Sequence, residues 1–248
     1  WSELGSLEAA LEQGLASGYA LRGEERYFRE RAITALRKKA EALGYELCAH
    51  EAQRETESSD FQLKHLIDDL SGGGLFAARR LVLVRNPGDL LRKVEGDDSA
   101  LTRAALSFVK SGDAGTLVLS DPSLRADHGL VKAIVAAGGR APAFRRLWDA
   151  PPPWKPDPLQ AELVQWALRR AGELGLRLSG EQALYVCAAT GNDLSALDDQ
   201  LERLRGSGGK DLKGTVSWTA AGSPFTVRFR MPDAPIRFRD LVRGDMEF

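Results

Sequence analysis

Cysteine is nearly absent: Cys48 and Cys187 are the only two in 248 residues. They lie far apart and make neither a disulfide framework nor a metal spacing. A reducing, cytoplasmic setting is therefore expected. No apolar run approaches the roughly 20 residues that span a bilayer, so no membrane partner is expected. An excess of one charge is missing too. Lys and Arg number 34 against 35 Asp and Glu, a net charge of −1. That leaves no global field to attract nucleic acid, and any DNA contact would need a local basic face. The three histidines, His50, His65 and His128, stand isolated, without a Cys or His at metal-ligand spacing. No signal-peptide pattern occurs, and the chain opens on Trp1 rather than Met, as expected of a trimmed N-terminus.

What is present suits a packed core. Hydrophobic residues make up 43% and charged residues 28% of the chain. The length allows one large domain or two ordinary ones. "GYALRG" (18–23) reads as a short strand ending in a glycine turn. Phe28, Ala32, Leu36, Ala40 and Leu43 then recur at helical spacing up to Gly44. "YELCAH" reads as a second strand. Ser59 and Gln62 fit a capping box ahead of a helix with Leu63, Leu66, Ile67 and Leu70 on its apolar face. "RLVLVRN" and "GTLVLS" are β-branched and apolar, as in strands buried on both faces. Helices over 100–110 and near 129–137 follow them, and "GRAPAF" is the expected last strand. Strands alternating with helices predict an α/β domain: a mostly parallel sheet with helices on both faces.

"WDAPPPWKPDP" carries five prolines and reads as a stiff linker. The expected domains are 1–150 (α/β), 151–206 (a small three-helix domain) and 207–248 (a tail). Asp157 is expected to cap a helix with Pro158 in its first turn, and Leu159, Leu163, Trp166 and Ala167 on one face. Ser179 and Gln182 make a second capping box. Asn192 is expected to cap the next helix, whose Leu194, Leu197, Leu201 and Leu204 share a face. In the tail, "TVSW", "FTVRFRM" and "IRFRD" look like strands, with "MPDAP" a turn.

Motifs for catalysis and cofactor binding fail on context. Gly72, Gly74 and Ala77 match G-x-G-x-x-A, but with a helix before and a strand after. A dinucleotide site needs the reverse order, so that a helix N-terminus meets the pyrophosphate. "GSGGKD" has Asp211 where a P-loop needs a hydroxyl, Leu204 in place of its first glycine, and a helix before it. In the first βα turn, Glu24 and Glu25 would repel phosphate. No G-x-S-x-G elbow or Cys/His pair is visible. Glu95, Asp97 and Asp98 read as solvated loop. No catalytic residue, metal site or cofactor is assigned, which favours an interaction protein.

Several segments, taken in order, resemble the delta subunit of the bacterial DNA polymerase III clamp loader. "YALRGEERYFRERAITALRKKA" is similar to the opening of that family. "DFQLKHLIDDLSGGGLFAARRLVLVRN" is similar to its helix, small-residue turn, apolar pair, Arg-Arg and strand. "GTLVLS" resembles the following strand, and "LVQWALRRAGELGLRLSGEQALYVCAATGNDLSALDDQLERL" its helical second domain. The likeness covers about the first 205 residues. It implies an ATPase-associated (AAA+) fold without its own nucleotide site. It also implies a non-catalytic subunit that acts in DNA replication by binding the ring-shaped sliding clamp and springing an interface open. Other loader subunits, and DNA within the assembly, are the further partners implied. The family carries a third, helical domain; here the tail reads as β, so that domain is expected to be truncated or absent.

By alignment, the clamp-binding pair is Leu75 and Phe76. The residues themselves leave two readings open: the pair packs under the sheet, or it leaves the glycine turn as an apolar knob. Burying such a knob in a partner pocket would contribute about 3–6 kcal/mol, sufficient for a hot spot. Arg79 and Arg80 either meet acidic groups on the clamp rim or are solvated residues at a strand start. Arg37, Lys38 and Lys39 read as a solvated helix face, and Arg228, Arg230, Arg237 and Arg239 as wet strand positions or DNA-phosphate contacts. The alternatives to the delta-subunit reading are a nucleotide-hydrolysing AAA+ subunit and an unrelated α/β interaction module.

Overall fold

The computed structural model describes residues 1–51, 59–71, 79–87, 100–112, 114–191, 193–206, 237–240 and 244–247. The chain divides into two compact units, Trp1–Arg146 and Leu147–Phe248.

In the first unit the elements run α1 (Ser2–Gln13), β1 (Gly18–Arg22), α2 (Arg26–Ala42), β2 (Glu46–Glu51) and α3 (Ser59–Ser71). They continue with β3 (Arg80–Arg85), α4 (Ala100–Ser111), β4 (Gly115–Asp121) and α5 (Gly129–Ala136). The four strands form one parallel sheet in the order β1-β4-β3-β2. "GRAPAF" adds to its β1 side only through isolated parallel bridges, Tyr19 to Arg140 and Arg22 to Ala143. Pro142 accepts from Arg22 N at 3.0 Å, but it has no N–H to extend the ladder.

Strand period fixes which residues meet which helices. Ala20, Val82, Val84, Leu117 and Leu119 point to one face and pack with Leu66 and Leu70 of α3, Phe108 of α4 and Ile134 of α5. In-register pairing puts Glu46, Cys48 and His50 of β2 on that same face. The alternate residues, Tyr19, Leu21, Leu81, Leu83 and Val118, are buried on the opposite face. There α2 packs across β1, β2 and β3, with α1 against it. Helices therefore cover both faces, and the sheet is apolar on both. Helix α1 was not foreseen, although Leu4, Leu7 and Leu11 have helical spacing and are buried.

Gly115 is required where β4 starts. Its φ is +142°, and a Cβ would sit 1.9 Å from the Arg80 carbonyl oxygen. No side chain fits between these two backbones.

The second unit contains α6 (Glu162–Glu173), α7 (Gly180–Thr190) and α8 (Leu194–Gly206). Asp157 does cap: its Oδ1 accepts from Leu159 N at 3.0 Å. It caps a single 3₁₀ turn, Pro158–Gln160, however, and α6 begins only at Glu162. The capping box at Ser179 is complete, with Gln182 N donating to Ser179 Oγ and Ser179 N to Gln182 Oε1. At α8 Asp193 Oδ1 accepts from Ser195 N and Ala196 N; the cap expected at Asn192 lies outside the described residues. Arg170 of α6 joins Asp198 (2.6 Å) and Glu202 (3.2 Å) of α8. "IRFRD" contains the strand Arg237–Asp240, paired antiparallel with Gly244–Glu247. The expected strands "TVSW" and "FTVRFRM" lie outside the described residues, as do the capping side chains expected at Ser59 and Gln62.

Candidate partner-binding site

The expected clamp-binding pair, Leu75 and Phe76, lies outside the described residues, and so do the Gly72–Ala77 fingerprint, Glu95, Asp97, Asp98 and Lys210. What surrounds the pair in the chain is described. Residues 72–78 connect α3 to β3, and β3 is a parallel strand between β4 and β2. An α-to-β connection enters a parallel sheet at the N-terminal ends of its strands. Open α/β sheets bind nucleotides at the opposite, C-terminal ends. The context that excluded a dinucleotide cradle in the sequence is thus the context in the fold.

Both flanks of the connection are anchored. Arg80 opens β3 half-buried on the α3 side of the sheet, by the same strand period. Its Nε donates to Glu46 Oε2 at 3.0 Å and its Nη1 to the Asp69 carbonyl at 3.4 Å. Asp69, in the last turn of α3, also meets His50 Nε2 at 2.7 Å. Arg79 is exposed, and its carbonyl accepts from Glu46 N at 2.8 Å. The two neighbouring arginines thus differ. The Arg80 guanidinium is committed within the fold, whereas Arg79 stands in solvent. His50, isolated in the sequence, meets Asp69 because strand period and helix packing converge.

At the C-terminal end of β1 the chain's own groups fill the turn into α2. In the turn after β1, Glu25 is only 7% exposed, and its Oε1 accepts from Tyr27 N at 3.0 Å. A carboxylate of the chain therefore occupies the helix N-terminus where a phosphate would otherwise be attracted. Gly23 has φ +94°, and a Cβ there would lie 2.2 Å from the Phe144 carbonyl oxygen. The backbone of Phe144 packs directly over this turn. Arg29 is 8% exposed. Its Nη1 donates to Ser120 Oγ at 3.3 Å, and among the described residues its Nε has no hydrogen-bond partner. Burial pushes the Arg29 guanidinium below its usual pKa, opposed by Glu30 and Asp121. Arg85 grips Glu30 with both terminal nitrogens, Nη2 to Oε2 at 2.9 Å. That hydrogen bonding holds the Glu30 carboxyl below its usual range. Asp121 Oδ1 accepts from Ser123 N and Oγ at 2.7 and 2.6 Å.

The remaining candidates have local roles. His128 Nδ1 accepts from Leu130 N at 3.2 Å and caps α5. Burial, reinforced by Asp69, pushes the Cys48 thiol up to about 11, and burial pushes Cys187 up to about 12. Neither is a poised thiolate. Among the described residues no group of three His, Cys, Asp or Glu could hold a metal ion. Among them, too, no helix is long and apolar enough to cross a membrane.

The fold is α/β: a parallel sheet with helices on both faces in the first unit, and helices α6 to α8 in the second. One solved structure that shares it is the Bacillus subtilis DNA clamp loader delta protein (YqeN), with a TM-score of 0.55 at 17% identity. The match covers 84% of this chain and 58% of that one, so this chain spans little more than half of the delta protein's length. The likeness agrees with the resemblance read in the sequence. A replication initiator DnaA bound to AMPPCP and single-stranded DNA matches at a TM-score of 0.43 and 13% identity, covering 81% of this chain and 59% of that one. A DNA replication initiation factor matches at 0.39 and 15%, covering 84% and 61%. No protein-family model matches the chain, and no curated protein does.

Proposed function

We propose that this chain is the delta subunit of a bacterial clamp loader, which binds the ring-shaped sliding clamp and opens it during DNA replication. One observation carries the reading: the segment 72–78 joins α3 to β3 within a fold shared with a clamp loader delta protein over 84% of the chain. The segment holds Leu75 and Phe76, the only neighbouring Leu-Phe pair in the sequence. On this reading the pair enters an apolar pocket on the clamp. Arg79 is the cation available to acidic groups at the pocket's rim.

The subunit hydrolyses no nucleotide itself. The Glu25 carboxylate at the start of α2 and the Phe144 backbone over Gly23 support that part of the reading. Assembly with other loader subunits and contact with DNA in that assembly belong to the same proposal.

The test is a binding titration of the purified chain against the cognate sliding clamp, with a Leu75→Ala/Phe76→Ala protein beside it. The double variant should bind at least tenfold more weakly, about 1.4 kcal/mol, with an unchanged circular dichroism spectrum. Binding by neither protein would remove the clamp as partner. Specific ATP turnover by the chain would revive the motor-subunit alternative.

A further inference from the structure

Charge is segregated within the chain. The net charge is −1, yet α2 carries six basic side chains against two acidic ones, a formal +4. Two of the six are engaged: Arg29 is buried and donates to Ser120 Oγ, and Arg31 donates to Tyr27 Oη at 2.9 Å. Arg26, Arg37 and Lys38 are exposed and Lys39 is half-buried; among the described residues none of these four forms an ion pair. Of the two carboxylates, Glu30 is held by Arg85, which leaves Glu41. At about 3.6 residues per turn, Arg26 and Arg37 share one row and Arg31 and Lys38 another, with exposed Thr34 between them. The rows run along about 18 Å of helix axis. Phe28, Ala32, Ile33, Leu36 and Ala40 are buried, so the cations point away from the sheet.

We propose that the exposed face of α2 is a contact surface for the phosphate backbone of duplex DNA. Rows of free cations suit a polyanion, and a duplex presents one charge per roughly 1.7 Å of its axis. Other macromolecular partners need groups that the face lacks. Its exposed residues are Arg26, Thr34, Arg37, Lys38, Glu41 and Ala42, none of them aromatic or a large aliphatic. Protein interfaces are anchored by such side chains, and single strands stack on aromatic rings. Phosphate contacts require neither and carry no sequence information. Glu41, with exposed Glu3, Glu8 and Glu12 on the adjoining α1, keeps the attraction weak. The inference gives a place to the DNA contact included in the proposed function. It rests on that part of the reading and not on the Leu75–Phe76 pair.

The test is a fluorescence-anisotropy titration of a labelled duplex of about 20 base pairs, between about 50 and 200 mM salt. Three proteins are compared: wild type, Arg37→Ala/Lys38→Ala, and Lys155→Ala/Arg177→Ala, which removes two exposed cations of the second unit. Wild type should bind with a micromolar or weaker Kd. Its log affinity should fall with log salt at a slope of about −3, for about three phosphates met. The α2 variant should bind about tenfold more weakly, with a slope of about −1 and a thermal midpoint within about 4 °C of wild type. The second-unit variant should stay within about twofold. Equal losses in the two variants, or no loss in the α2 variant, overturn the inference. So does a wild type that fails to bind the duplex, binds it without salt dependence, or binds a single strand of equal length as tightly. A clamp titration of the same proteins keeps the two readings apart. Clamp affinity should be unchanged in the α2 variant; a loss there with duplex binding intact would overturn the inference and assign the face to an acidic protein surface.

Discussion

The two ends of the parallel sheet differ in the groups the chain places there. At the C-terminal end, the turn after β1 is filled by the chain's own groups. Glu25 caps α2, Arg29 lies buried against Ser120, and the Phe144 backbone covers Gly23. At the N-terminal ends, Asp69 and Arg80, which flank residues 72–78 in the chain, are hydrogen-bonded to each other, and Arg79 is exposed. An α/β sheet conventionally offers its C-terminal edge to ligands. Here the chain's own groups occupy the turn after β1 at that edge, and the segment proposed for recognition joins the other one.

The largest expected effect is at Gly115, where β4 meets Arg80. Gly115→Ala forces a Cβ against the Arg80 carbonyl at a φ of +142°. It should cost roughly 3–5 kcal/mol, and urea unfolding would measure it.

Glu25→Ala removes a buried cap at the closed edge and should cost about 1–2 kcal/mol. It should leave clamp affinity unchanged, in contrast to substitutions around the segment 72–78. A loss of clamp binding in a folded Glu25→Ala protein would break the division between the two edges.

Arg29→Met should change stability by less than about 1 kcal/mol. The guanidinium it removes is costly to bury and has an unsatisfied Nε, so an apolar side chain of similar length is a near-neutral replacement. A loss well above that in the same urea experiment would show that the charge stabilises the closed edge.

The smallest effect is at Glu30, on the rim of that edge. Its folded pKa is depressed by Arg85. Its contribution is therefore present above the unfolded value of about 4.3 and is lost as pH falls through the lower folded value. The stability difference between wild type and Glu30→Gln should shrink as pH drops below about 4. Partial exposure keeps the difference modest even at neutral pH.

The sheet was legible because its signals are local. "RLVLVRN" and "GTLVLS" are buried runs bounded by polar or glycine residues, and both became central strands. Ser179 and Gln182 announced a capping box that forms in full. Asn192 and Asp193 are adjacent and equally able caps, so composition could not rank them. Pro158 suits the first turn of either helix type, and the 3₁₀ break before α6 left no separate mark. The site divided in the same way. Failure of the nucleotide motifs could be read from the order of helix and strand. The tie between Arg80, Glu46, Asp69 and His50 could not, because it needs the register of β2 on β3 and the packing of α3 over both. Glu25 was read only as a charge that would repel phosphate, and the fold shows it turned inward as a cap.

The most direct test sets the two edges against each other in one experiment: clamp affinity of Leu75→Ala/Phe76→Ala and of Glu25→Ala, each relative to wild type. The account predicts at least a tenfold loss for the first and no more than a twofold change for the second. Equal affinities for wild type and the Leu75→Ala/Phe76→Ala protein, or a larger loss for Glu25→Ala, would contradict it.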